Sequence, residues 1–238
     1  MKKKAVMNWS GGKDSALALH RLLQTQEFAI SRLLTTVNQV FSRVSMHGVR
    51  VDLLEKQAES LGFPLRKIAL PETVSMQAYG EIMRTALFDL KKEGIEYAIF
   101  GDIFLEDLKT YREKQLSQIP MQGIFPIWQG KPERLMHEFL DLGFKAITVC
   151  VNDMHLDQSF VGRLIDHDFV RDLPKNVDIC GENGEYHSFV FDGPIFKKPI
   201  VFEKGGIVRR NFATDSKDDE HQGQKTNWLT GFWYQDLW

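Results

Sequence analysis

The residues best equipped for chemistry stand near the start of the chain, at Ser10-Gly11-Gly12-Lys13-Asp14-Ser15. An apolar run, Lys4–Trp9, precedes them. An amphipathic stretch, Asp14–Gln26, follows, with Ala16, Leu17, Leu19, His20 and Leu23 on its inner side. The loop therefore joins a strand to a helix. Two adjacent glycines permit positive φ and let backbone N–H groups come close to a ligand. The following helix aims its positive end at the same spot, so a phosphate is the natural guest. Lys13 adds a full charge, and Ser10 and Ser15 add hydroxyl donors. A carboxylate beside phosphates repels them unless Mg²⁺ bridges the two, which makes Asp14 the candidate metal ligand. The loop is not a Walker A motif, because Asp14 stands where Ser or Thr is required after Gly-Lys. A dinucleotide fingerprint is also excluded, since its third glycine is missing.

A second cluster is acidic: Gly181-Glu182-Asn183-Gly184-Glu185-Tyr186-His187. Two carboxylates three positions apart around Asn183-Gly184 are expected on a tight, exposed turn. They either face water or serve as a base. His187 is a second candidate base, and Asp192 before Gly193-Pro194 is placed to cap a turn. His47 beside Gly48 is a candidate for contact with a nucleotide or substrate.

Both clusters need elements to position them. Strands are expected over Ile30–Val37, Leu65–Leu70, Tyr97–Phe100 and Ile124–Ile127, with helices over Val51–Leu61, Met76–Lys92 and Asp107–Gln118 between them. Strands alternating with helices of this length predict parallel βαβ units with helices on both faces, an α/β fold. Ligands in such sheets bind beyond the carboxyl ends of the strands. Ser10-Gly11-Gly12 and Gly101-Asp102 both fall there. A helix over Glu133–Leu142 and a strand over Ala146–Val151 continue the pattern briefly, and then polar turns and paired strands take over. The expected division is residues 1–130 and 131–238. Asp215–Lys225 reads as a polar loop, and Trp228–Tyr234 as an aromatic strand that closes a core or lines a homodimer contact.

The chain has 238 residues, 43% of them hydrophobic, with 30 Lys+Arg against 32 Asp+Glu and a formal charge of −2. That balance gives no global field for nucleic acid or an anionic membrane surface. No apolar run is long enough for a transmembrane helix, and the five-residue apolar stretch near the N-terminus is too short for a signal peptide. The two cysteines, Cys150 and Cys180, form neither a CxxC pair nor a zinc pattern, so a reducing cytoplasm is the default setting.

Ser-Gly-Gly-Lys-Asp-Ser resembles the PP-loop of the N-type ATP pyrophosphatases, which split ATP between the α and β phosphates. The segment Gly181–Phe196, with its Gly-Glu-Asn-Gly-Glu, resembles the signature of the diphthine–ammonia ligase family. Ile99-Phe100-Gly101-Asp102-Ile103 and Phe125-Pro126-Ile127-Trp128 resemble two further segments of that family, and the likeness runs from about Lys4 to Phe196. It implies a HUP-type parallel five-stranded sheet followed by a smaller family-specific α+β domain. It also implies use of ATP and Mg²⁺ to adenylate a carboxylate, small or protein-borne, which ammonia then converts to an amide. AMP and pyrophosphate are the products. In those relatives the acceptor is diphthine on translation elongation factor 2.

By the same likeness, Ser10, Gly11, Gly12, Lys13 and Ser15 hold phosphates and Asp14 holds the metal. Thr36 and its neighbours edge the adenine, and Gly101 and Asp102 face the same crevice. Lys13, Asp14, Glu182 and Glu185 would be catalytic, with His47, Asn183 and His187 toward the substrate. Ammonia would come from solution or from a partner. Two other readings stay open. One is a tRNA-modifying PP-loop enzyme, against which the cysteine spacing and charge argue. The other is an ATP-sensing module without turnover.

Overall fold

A computed structural model describes residues 2–39, 43–44, 48–213 and 229–238. His47, the polar stretch Asp215–Lys225 and Trp228 lie outside the described residues. The first strand, β1 (Lys3–Asn8), buries Ala5, Val6 and Met7 completely. Ala5 and Met7 face one core and Val6 another, the signature of a strand covered on both sides. It pairs in parallel with β2 (Phe28–Asn38) on one side and β5 (Tyr97–Ile99) on the other. Beyond these, β2 pairs with β4 (Leu65–Leu70) and β5 with β6 (Gln122–Ile124), both parallel. The expected five parallel strands thus lie in the order β4-β2-β1-β5-β6. A two-residue strand, β3 (Arg43–Val44), adds to the end of β2 in antiparallel sense.

The order reverses at β1, so the crevice beyond the carboxyl ends of β1 and β5 is the switch point at which such sheets bind ligands. Helices α1 (Lys13–Thr25) and α2 (Val51–Leu61) cover one face through Leu17, Leu19, Leu53 and Leu54. On the other face, α3 (Met76–Lys92) and α4 (Glu106–Ser117) contribute Ala86, Leu87, Leu90 and Leu116. Strand β6 lies earlier than the expected Ile124–Ile127, because Pro126 has no N–H for a ladder.

After α5 (Pro132–Asp141) comes an antiparallel sheet in the order β8-β7-β10-β9. Its strands are β7 (Lys145–Asn152), β8 (Tyr186–Asp192), β9 (Lys204–Ala213) and β10 (Leu229–Leu237), with a short helix α6 (His167–Asp172) between β7 and β8. The aromatic segment expected at Trp228–Tyr234 is the inner strand β10, paired with both β7 and β9. Trp233 packs against the core and Leu237 is buried within it, so this segment closes the second sheet. That core runs unbroken from α1 and α2 into the second sheet, through Phe139, Phe144, Ile147, Phe169 and Phe189.

Gln57 of α2 fastens the two sheets together. It is wholly buried, its Nε2 donates to Gly11 O at 3.1 Å and Val190 O at 2.6 Å, and its Oε1 accepts from Trp9 Nε1 at 2.9 Å. Replacing it with leucine strands an indole N–H and weakens the hold on two carbonyls in a space that excludes water. Gln57→Leu is expected to lower unfolding free energy by about 3 kcal/mol in urea titrations. A loss under about 1 kcal/mol would mean that water or a neighbour replaces the amide.

Candidate functional site

A cleft of about 680 Å³ opens at the switch point. Its floor is the loop after β1, one wall is the end of β2 with Thr35 and Thr36, and the opposite wall is Phe100-Gly101-Asp102 with α3 and α4. The acidic loop before β8 forms its roof, contributing Gly181, Glu182, Asn183 and Gly184, followed by Tyr186, His187 and Ser188.

The glycine loop is braced by its own serines. Ser10 Oγ accepts from Gly12 N at 3.3 Å and donates to Ser15 Oγ at 3.2 Å, while Ser15 Oγ donates to Gly12 O at 2.8 Å. Gly12 then caps α1 in an extended conformation with no side-chain cap, which sets the positive end of the helix at the cleft floor. The two glycines do different jobs. Gly11 has φ +80°, and a Cβ there would lie 2.8 Å from Gln57 Oε1, so it faces α2 and does not line the cleft. Gly12 does line it. Gly101 is needed for close approach, since its Cβ would fall 2.9 Å from both the Asp14 carbonyl carbon and Ser15 N. The end of β5 is thereby pressed against the start of α1.

Lys13 is buried, with its Nζ 2.7 and 2.8 Å from the two Asp14 oxygens and 5.5 Å from the Tyr186 ring centroid. Burial alone would favour the neutral amine, but the adjoining Asp14 carboxylate outweighs it and holds Lys13 charged above its usual range. Its backbone N donates to Ser188 Oγ at 3.1 Å, a contact from the second sheet into the loop. Asp102 is buried and binds Arg112 of α4 at two points, Nε to Oδ2 at 2.6 Å and Nη2 to Oδ1 at 3.1 Å.

The acidic loop departs from the expected exposed turn. Glu185 is 2% exposed, and its carboxylate accepts from Asp178 N at 3.0 Å, Asn183 N at 2.9 Å and Asn183 Nδ2 at 3.1 Å. It folds the loop and does not line the cleft. The expectation of exposure fails because three N–H donors of the tight loop converge inward on one carboxylate. Glu182 is half-buried at the cleft, with Oε1 accepting from Ile103 N at 2.8 Å. Burial, with only partial relief from that N–H and added pressure from Asp14, pushes its carboxyl up to about 7. Asn183 and His187 border the same cleft, whereas Asp192 Oδ1 accepts from Gly193 N at 2.9 Å, the expected turn cap.

Three contributors were not expected from the sequence: Ser188, Arg112 and Tyr79, the last two lining the α3–α4 wall. A serine inside a strand and an arginine ten residues past its partner carry no local signal. Gln57 carried one, as a polar residue among Leu53, Leu54 and Leu61 on an apolar helix face. The thiols of Cys150 and Cys180 are each pushed up to about 12 by burial, and neither lines the cleft.

A single carboxylate at the loop suits Mg²⁺ in the mode where phosphates and water supply most ligands. Among the described residues no group of three His, Cys, Asp or Glu side chains forms a protein cage for a metal. No helix among them is long and apolar enough to cross a membrane.

Family models agree with this architecture: the diphthamide synthase N-terminal domain matches residues 2–122, and the diphthamide synthase C-terminal domain matches residues 131–214. The chain is 26% identical over 225 residues to human diphthine–ammonia ligase, covering 84% of this chain and 82% of that one. The mouse diphthine–ammonia ligase is 29% identical over 226 residues, with the same coverage. Among solved structures, the U34-tRNA thiolase NcsA from Methanococcus maripaludis with its [4Fe-4S] cluster overlaps 59% of this chain and 57% of its own, at 22% identity and a TM-score of 0.36. With a PP-loop at the switch point of its parallel sheet and both domain models matched in order, the chain belongs to the diphthamide synthase family of ATP-dependent ligases.

Proposed function

We propose that this protein makes an amide from a carboxylate, small or protein-borne, using ATP and ammonia. The observation that carries the reading is the meeting of an anion-binding helix start with a half-buried Glu182 in one cleft. In this scheme residues 1–130 bind the nucleotide and residues 131–238 bring the amidation machinery over it.

The carboxylate oxygen attacks the α-phosphorus, an O–P bond forms, and the bond to pyrophosphate breaks. Ammonia then attacks the acyl carbon and AMP leaves with the electron pair. The positive end of α1, with the Lys13 ammonium, stabilises the charge that develops on pyrophosphate. For that, Lys13 turns from Asp14 toward phosphate. Asp14, so released, would hold Mg²⁺, which neutralises phosphate charge when bound. The end of β2 at Thr36 edges the base, and Asp102, locked by Arg112, fixes the wall at Gly101.

Glu182 takes the proton that ammonium must lose before its nitrogen has a lone pair. A carboxyl held near 7 suits that task better than an ordinary one, which is too weak a base. Glu185 supports it by folding the loop, and Asn183 and His187 face the acceptor.

Incubation with Mg²⁺, ATP, ammonium and a panel of carboxylic acids, including diphthine-bearing elongation factor 2, tests this directly. AMP, pyrophosphate and amide are expected in equal amounts, and all three are expected to be absent with Asp14→Ala. ADP would overturn the PP-loop chemistry. Tight ATP binding without AMP from any acceptor would favour a regulatory module.

Glu182→Gln separates the two half-reactions: pyrophosphate release is expected to persist while amide formation falls at least 100-fold. The same variant reports on the raised carboxyl. Because the folded state retains a proton that the unfolded chain loses near 4.5, wild-type stability falls as pH rises from about 4.5 to 7. Glutamine keeps the acceptor for Ile103 N–H but carries no charge. The variant's stability relative to wild type is expected to climb through that window by on the order of 2 kcal/mol. A flat difference between pH 5 and 8 would show that Glu182 titrates normally.

A further inference from the structure

The last strand reaches back across the molecule to the rim of the cleft. Asp236 on β10 pairs with Arg43 Nη2 at 2.8 Å and accepts from Arg50 Nη2 at 2.7 Å and Nε at 3.2 Å. One carboxylate thus holds two guanidiniums that would otherwise repel each other. Arg43 Nη1 also donates to Gly48 O at 2.6 Å, and Val44 N donates to Val49 O at 2.8 Å. Gly48, at φ +70°, leaves no room for a side chain, since a Cβ would lie 2.8 Å from the Tyr234 ring of β10. Arg50 lies 5.5 Å from the Trp238 ring centroid.

These contacts converge on Arg43, Gly48 and Arg50, at β3 and the start of α2, which bear on the cleft by two routes. Val44 lines the cleft and pairs with Val37, next to Thr36. Arg50 is the residue that caps α2, and two turns further along that helix Gln57 grips Gly11 of the glycine loop. The strand itself lies beyond residue 214, the last matched by the family's domain models.

We propose that β10 is a strap that positions the nucleotide site, with Asp236 and the Tyr234 ring seating Arg43, Gly48 and Arg50 beside the cleft. The inference rests on the ATP-binding reading above. Asp236 is a positioning residue and touches no substrate. Holding the rim in place before the nucleotide arrives removes an ordering cost from binding, so its loss shows in affinity.

The test is the Kd of the Mg²⁺ complex of α,β-methylene-ATP, measured calorimetrically on the full chain and paired with thermal melting. Asp236→Ala is expected to raise Kd about tenfold, and Asp236→Glu to restore most of the affinity. Gly48→Ala, which changes no residue of β10 but presses a methyl group on the Tyr234 ring, is expected to weaken binding similarly and serves where the Asp236 variants fold poorly. If wild type binds and both Asp236→Ala and Gly48→Ala bind within twofold of it, the strap is overturned while the ATP reading stands. Weakening that only tracks a lost folded fraction, unrelieved in Asp236→Glu, also overturns the strap. Absence of binding by wild type overturns the ATP reading and the strap together.

Discussion

Gln57 has no solvent exposure and commits its amide to Trp9, Gly11 and Val190, one partner at the end of β1, one in the glycine loop and one in β8. Gly11 O also accepts from Val190 N at 2.9 Å. The conformation of the glycine loop therefore depends on the second sheet as well as on the strand and helix that flank it. Buried hydrogen bonds fix such a loop more firmly than contacts in water would. Ser188, accepting from Lys13 N, acts in the same direction. Gly101 supplies the opposing wall by letting β5 approach α1 within van der Waals limits. The cleft exists because these three constraints agree on one position for residues 10–15.

The same logic explains why two glutamates three positions apart have opposite fates. Glu185 turns into its own loop and receives three N–H donors, which satisfies the hydrogen-bonding needs of a buried carboxylate. Glu182 points the other way and receives one donor, from Ile103, in a half-buried position near Asp14. A carboxylate with little solvation and little compensation gives up its charge more readily, which is the property wanted in a base working near neutrality. The first glutamate lines the cleft because the second organises the loop that carries it.

Much of this was legible in the sequence, for identifiable reasons. Val51–Leu61, Leu65–Leu70 and Met76–Lys92 match their elements residue for residue, since apolar periodicity, Gly62, Pro71 and Ser75 mark their limits. Ser10–Ser15 was legible because the loop's chemistry is contiguous along the chain. What the sequence concealed depends on residues that meet only after folding. The inward turn of Glu185 needs Asp178 and Asn183 to arrive together, and the lock on Asp102 needs α4 to bring Arg112 back over it. The two-residue strand β3 is shorter than any periodic pattern. Strand β9, with Gly205 and Gly206 at its start and exposed Ile207 and Val208, has no apolar alternation to announce it.

β9 also shows why the last strand matters to the architecture. Its ladder partner in the sheet is β10, and β10 in turn pairs with β7, so the order β8-β7-β10-β9 places the final strand inside the sheet. An inner strand is paired on both edges, whereas a sheet of β8 and β7 alone would leave the β7 edge open to pairing with another chain. Glu203 and Trp238 reinforce the arrangement by exchanging backbone hydrogen bonds of 2.7 and 3.1 Å. The family's domain models account for residues 131–214, which include β9 but not the strand that joins it to the rest. The sheet over the glycine loop is therefore completed by residues that also reach Arg43 and Arg50 beside the cleft through Asp236. Completing the sheet and seating the rim are two consequences of docking one strand, and a change that loosens β10 must be felt at both places.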